Sequence, residues 1–224
     1  MGLDPSLSVS ERAKLYAIGG RRRAALAIAS GLVVACASCA RQHVSAAYDP
    51  DTRLVSRLDY DNETSGKIVA RTYFSNGHAV RLEVDADGNG SIDRWEYYRT
   101  DGTLTRLGTS SGNDGREDTW VVQGGDSMRV DISTRRDGFV DRREFHERGA
   151  LTRAEQDTNF DGLVDESQLF ENGKLRVLLV DIEQRRGRPD RRLVYGADGS
   201  VTGVETDLDG DGQFTPEQTD DGSH

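Results

Sequence analysis

From about residue 59 onward, short apolar and aromatic runs alternate with polar clusters at a nearly constant beat. The runs include Thr72-Tyr73-Phe74, Trp95-Glu96-Tyr97-Tyr98 and Thr119-Trp120-Val121-Val122. Glu144-Phe145-His146, Gln168-Leu169-Phe170 and Leu193-Val194-Tyr195 continue the series. β-Branched and aromatic residues dominate them, which suits a pleated, half-buried surface. A turn pair follows each: Asn76-Gly77, Asp101-Gly102, Gly124-Gly125, Arg148-Gly149, Asn172-Gly173 and Asp198-Gly199. Asn-Gly, Asp-Gly and Gly-Gly tolerate positive φ at both central residues, as two-residue hairpin turns demand. Leu104, Leu151, Leu175 and Val201 then stand two residues past their turn glycines and open the returning run. Each unit therefore predicts a β-hairpin.

Asp-rich loops join one hairpin to the next, centred on Gly66, Gly90, Gly115, Gly138, Gly162, Gly187 and Gly212. The glycines are 24, 25, 23, 24, 25 and 25 residues apart. The fold class expected is all-β, an array of about seven hairpin repeats of ~24 residues. Roughly 12 to 13 strands would form a curled antiparallel meander or a hairpin solenoid. The units are too short for four-stranded propeller blades. Tyr98-Arg-Thr-Asp-Gly-Thr-Leu104 and Phe170-Glu-Asn-Gly-Lys-Leu175 resemble the Tyr-Asp repeats of bacterial Rhs-type proteins, which also form spirals of hairpins. The Asp-rich loops depart from that pattern. Ala150–Gln156 is the one segment whose composition suits a helical turn or two.

The loop Asp85–Glu96 fits D-x-[DN]-x-[DN]-G-x5-E, the EF-hand-type calcium-loop pattern, at every required place. Asp85, Asp87 and Asn89 would supply side-chain oxygens and Ser91 its backbone carbonyl. Asp93 would bind directly or through water, and Glu96 in bidentate fashion unless a strand direction prevents its return. Two further loops are incomplete versions. Asp157, Asn159, Asp161, Leu163 and Asp165 form one, with Gln168 where Glu is expected. Asp207, Asp209, Asp211 and Gln213 form the other, with Gln218 at its end. Fewer carboxylates imply weaker sites, so the expected cofactor is calcium, bound with the modest affinity of extracellular modules. An EF-hand proper needs a helix on each side. Only seven residues separate Gly77 from Asp85, and four separate Glu96 from Asp101. Neither interval holds a stable helix, so the loop reads as a joint between hairpins. A helical EF-hand sensor or buffer is the alternative.

The other loops read as metal-free. Ser110, Gly112 and Asp114 offer one early carboxylate, and Asp61, Glu63 and Ser65 make a poor first loop. Ser133–Asp137 and Ile182–Arg186 place arginines among the ligand positions, where a guanidinium would repel a cation and serve as counter-charge for Asp141 or Asp190. An Asp recurs three residues past the loop glycine at 93, 118, 141, 165 and 190, even where other ligands are lost. That persistence points to turn capping as its common job.

Charge and cysteine usage narrow the setting. The 224 residues include 39 acidic and 29 basic ones, and only 35% are hydrophobic. A chain so acidic repels phosphate, which argues against a nucleic-acid partner. A core so thin needs backbone pairing or bound ions as well as burial. Arg21-Arg22-Arg23 precedes an apolar stretch, Ala24–Ala35, too short to span a bilayer as a helix. Val33-Val34-Ala35-Cys36 resembles the lipobox of bacterial lipoproteins. The resemblance implies cleavage before Cys36, lipid on Cys36, and attachment to the cell envelope at the outer membrane or periplasmic face. The expected organisation is a signal peptide over 1–35, a lipidated tether over 36–57 and the repeat domain over 58–224. Five basic and two acidic residues precede Cys36, so the remainder carries 24 basic and 37 acidic ones.

No nucleophile elbow, zinc-protease motif or phosphate loop is present, and the four histidines fall in no ligand spacing. The expected role is binding or structural: a scaffold whose partners are the membrane and an envelope protein or polysaccharide. Trp95 and Trp120 occupy equivalent places in successive repeats, as a stacked pair in the sheet or as a sugar platform. The platform would make the chain a polysaccharide-binding accessory.

Overall fold

The computed structural model describes residues 42–217. Among the described residues there is no helix, and fifteen strands pair antiparallel in the order of the sequence. The expected antiparallel meander is the topology found, with more strands than the pattern suggested. One unit comprises residues up to Gln123 with Arg136–Gly138; the other comprises Gly124–Arg135 and the chain from Phe139 onward. The first carries β1 (Gln42–Tyr48), β2 (Val55–Asn62), β3 (Ile68–Ser75), β4 (His78–Val84), β5 (Arg94–Tyr98), β6 (Leu104–Thr109) and most of β7 (Thr119–Gly124). The second carries β8 (Ser127–Ile132), β9 (Arg142–Glu147), β10 (Ala150–Gln156), β11 (Glu166–Glu171), β12 (Lys174–Val180), β13 (Arg191–Tyr195), β14 (Val201–Thr206) and β15 (Thr215–Pro216).

Two stretches differ from the pattern's expectation. Residues 42–48, read as tether, form β1, because β2 offers a free edge with which they register from Gln42↔Asn62 to Tyr48↔Val55. Ala150–Gln156, the candidate helix, is β10, since β9 and β11 flank it and take its backbone groups on both sides. The cysteines and the signal-like segment lie outside the described residues.

Three predicted turns have both central residues at positive φ: Asn76-Gly77, Arg148-Gly149 and Asn172-Gly173. That is the two-residue hairpin geometry matched to strand twist. The Asp-Gly turns differ. At 101–102 only Gly102 is left-handed, and its N–H donates to the Arg99 carbonyl at 2.9 Å. At 198–199 only Gly199 is left-handed, and its N–H donates to the Gly196 carbonyl at 3.1 Å. These are wider loops ending in a left-handed residue. The aspartate stabilises them: Asp101 accepts the Thr103 N–H, and Asp198 accepts the Ser200 N–H and hydroxyl. The Gly124-Gly125 turn is displaced by one residue, to 125–126.

Directly opposed residues share a face, so the register reads out each face. In the first unit Ala70, Leu82 and Val84 form a buried cluster with Tyr60 and Tyr98 against it, and Leu107 and Val121 continue that face. The opposite face carries the row Arg57↔Tyr73↔Arg81↔Tyr97↔Arg106. A second row runs Asp59↔Arg71↔Glu83↔Trp95↔Gly108↔Trp120. Guanidinium groups lie over Tyr73 and Tyr97, 4.0 and 4.3 Å from the ring centres. The second unit repeats the scheme with Arg129↔Phe145↔Arg153 and Asp131↔Arg143↔Glu155. The alternation of arginine with ring, and of acid with base, lets polar strands cover one another with little hydrocarbon.

Candidate metal centre

Within each unit the Asp-rich loops sit at the sheet edge opposite the tight turns. Aspartates close most of them, from the first end, the far end or both. In the loop between β4 and β5, Asp85 accepts the N–H groups of Gly88, Asn89 and Gly90 at 2.8, 3.1 and 2.7 Å. Asp157 does the same for Phe160, Asp161 and Gly162, and Asp207 for Gly210 and Gly212. From the far end, Asp93, Asp118, Asp141, Asp165 and Asp190 each accept the N–H seven residues earlier, on Ala86, Ser111, Thr134, Thr158 and Glu183. This is the capping that the recurrence of Asp in metal-poor loops indicated.

The sequence pattern missed a second left-handed place. In six of the seven loops the fourth residue has positive φ: Gly88, Asn113, Arg136, Phe160, Gln184 (counted from Asp181) and Gly210. The turn brings its own N–H (Gly88, Phe160, Gly210) or the next one (Asp114, Arg185) to the first residue's side chain. Gly88 and Gly210 marked the place, but the bulky residues elsewhere hid it.

Two carboxylate groups converge. Asp85, Asp87 and Asp93 each place an oxygen within 4.8 Å of the others, and so do Asp207, Asp209 and Asp211. Three unscreened carboxylates at that separation repel one another. Each group could hold a metal ion, and all-oxygen donors suit a hard divalent cation. Asp85 and Asp207 are buried at 2% and 4% exposure, while Asp87, Asp209 and Asp211 are exposed. The Asn113 amide bonds Asp87 and holds its carboxyl below the usual range, whereas burial pushes Asp93 up. For Asp207 burial works upward, but the Gly212 and Gly210 N–H groups prevail and hold it low. Neighbouring loops brace the first centre. Lys67 Nζ donates to the Asn89 carbonyl at 3.2 Å, and Asn113 reaches Asp87 across 26 residues. Neither contact was visible in the motif, because both partners lie one repeat away.

Other expected ligands have partners of their own. Glu96 points along the buried face of β5, where its carboxylate meets the Arg94 guanidinium and the Tyr98 hydroxyl. A strand sends the twelfth position away from the loop, whereas a helix would bring it back. Gln168 on β11 likewise donates to Glu166 at 2.6 Å. Asn89 accepts the Ser91 N–H and donates to Asp87. Gln213 donates from its backbone and its amide to Asp211. Gln218 lies outside the described residues. In the loop of Asp157, Asn159, Asp161, Leu163 and Asp165 the three carboxylates do not form such a group. Asn159 accepts the Asp161 N–H, Asp161 accepts that of Leu163, and Asp165 takes the Thr158 N–H and hydroxyl. Asn159 stands where the first loop has Asp87, which puts an amide in place of that carboxylate.

The arginines do not pair with the aspartates expected for them. Arg136 pairs with Asp114 at 2.6 Å and with Asp118 at 3.2 Å, not with Asp141. Arg185 bonds Glu183 and the backbone carbonyls of Asp207 and Leu208, where Asp190 was expected as its partner. In that loop Asp181 takes the place of Asp85, accepting the Arg185 and Gly187 N–H groups. Trp95 and Trp120 are not a direct pair: both oppose Gly108, two strands apart, and Trp95 is 8% exposed. Neither a protein-family model nor a curated protein matches this chain.

Proposed function

We propose that the protein is a calcium-binding lipoprotein, anchored to the membrane through Cys36, that serves as a structural or interaction scaffold at the cell envelope. The observation that supports the metal half is the convergence of Asp85, Asp87 and Asp93 within 4.8 Å, repeated by Asp207, Asp209 and Asp211. The ion staples a loop between hairpins and so stabilises a fold short of hydrocarbon. No helix among the described residues flanks either group, so an EF-hand's opening motion has no moving part here. The lipobox-like Val33–Cys36 supports the anchor.

Calorimetric titration of the mature chain with calcium, paired with thermal melts, tests the metal. Heat at millimolar calcium and a rising melting temperature are expected. Asp85→Ala with Asp87→Ala should remove the tighter site. No heat and an unchanged melting temperature would sink the reading.

A further inference from the structure

We propose that His146 and Met128 form a soft-metal site that binds one copper(I) ion, apart from the carboxylate groups. The two residues oppose each other on β9 and β8, within the second unit. Directly opposed residues share a face, with Cβ atoms roughly 4.5–5.5 Å apart. That separation lets an imidazole and a thioether reach one ion from adjacent strands. The chain has two methionines, Met1 and Met128, and Met128 is the one among the described residues. The pair belongs to no sequence motif, because strand register alone brings it together.

The imidazole is prepared as a ligand. His146 is 1% exposed, and its Nδ1 is buried without a hydrogen-bond partner. A buried polar atom left unpaired is destabilising unless a water or an ion meets it. Nε2 lies 3.3 Å from Glu144 Oε2, and Arg142 pairs with the other carboxylate oxygen at 3.2 Å. An ionised carboxylate only accepts, so Nε2 carries the hydrogen and the neutral ring keeps its lone pair on Nδ1. A carboxylate behind a histidine is the arrangement that orients metal-bound imidazoles. On this face Met128 and Leu151 stand opposite His146, and of the two only Met128 offers a donor atom. Met128 is half-buried, which leaves the site a route to solvent. The donor pair selects the metal. Calcium wants many oxygens and structural zinc four ligands, whereas copper(I) accepts soft sulfur and imidazole and is satisfied by two donors in line. Among the described residues no converging group of three His, Cys, Asp or Glu side chains includes His146.

The test uses the full chain carrying Cys36→Ser and Cys39→Ser, so that no thiolate competes for copper. It is titrated against copper(I) bicinchoninate under ascorbate and nitrogen, with calcium present to fill any carboxylate site. One equivalent of copper should leave the chelator. Copper X-ray absorption should then show a sulfur and a nitrogen neighbour. Met128→Leu is the deciding variant, because it conserves volume and leaves the buried Glu144–His146 pair intact. It should fold as the parent does, yet lose both the copper uptake and the sulfur signal. Copper that stays on the chelator with the parent chain, or uptake that survives Met128→Leu, would overturn the site.

Discussion

The Glu117 carboxylate occupies the space that a side chain at Gly108 would fill: a Cβ built there would lie 2.8 Å from Glu117 Cδ. Gly108 opposes Trp95, as Asp59 and Glu83 oppose Arg71 in the same row. Arg57, Arg81, Arg129 and Arg153 each pair with an acid two residues on, at Asp59, Glu83, Asp131 and Glu155. Arg106 has glycine at that place and instead meets Glu117 Oε2 at 3.6 Å, with the Tyr97 hydroxyl donating to the same oxygen at 2.8 Å. The repeat keeps its charge pair while changing the residue that supplies it.

Gly108→Asp alone should place two carboxylates in one space and cost about 1–2 kcal/mol. Gly108→Asp with Glu117→Ser restores the arrangement of the other repeats. A double-mutant cycle by urea unfolding should give a favourable coupling of about 1 kcal/mol. Strict additivity would show that the two residues do not share the space.

Arg136→Ala should cost about 1–3 kcal/mol, because it removes a charged partner from Asp118, which is 1% exposed. Arg129→Ala breaks a pair whose arginine is 47% exposed, and should cost no more than about 0.5 kcal/mol. Denaturation midpoints of the two variants decide the order.

The two acids at the ends of the first loop should separate in calcium titration. Asp93→Asn removes a converging oxygen and should weaken binding by about tenfold. Glu96→Gln should leave calcium affinity unchanged, because its carboxylate is held by Arg94 and Tyr98 on β5. A folded Glu96→Gln chain that loses its calcium heat would refute this placement.

Acid sensitivity follows from Glu144. Burial pushes its carboxyl up, but His146 and Arg142 beside it outweigh that and hold it below its ordinary 4.5. A depressed folded value contributes stability above the unfolded value, and that stability is lost as pH falls below about 4.5. Wild type should therefore exceed Glu144→Gln in stability at neutral pH, and the gap should close under acid. Denaturant midpoints measured from neutral to acid pH would show it, and a constant gap would contradict it.

Local chemistry was legible because it acts within a few residues. Asn76-Gly77 and Asn172-Gly173 announce their turns by themselves, and Asp141 and Asp165 cap loops through hydrogen bonds seven residues long. The Asp-Gly turns were misread in type because the Asp side chain competes for the N–H two residues on. At Phe160 the left-handed place was invisible, since no residue preference marks it.

The sequence by itself therefore determined the hairpins, their period and the loops that carry carboxylates, since turn geometry and alternation are local properties of the chain. Tertiary structure decided where the residues beyond each loop go. Asp85, Asp87 and Asp93 come within 4.8 Å of one another, and in the loop Asp157–Asp165 Asn159 stands where Asp87 does. Glu96 leaves the site because β5 carries it onto the sheet face, and Asn113, Lys67 and Arg136 enter loops one repeat away. These outcomes depend on strand register and on which loops become neighbours, relations between residues some two dozen positions apart that no single loop contains.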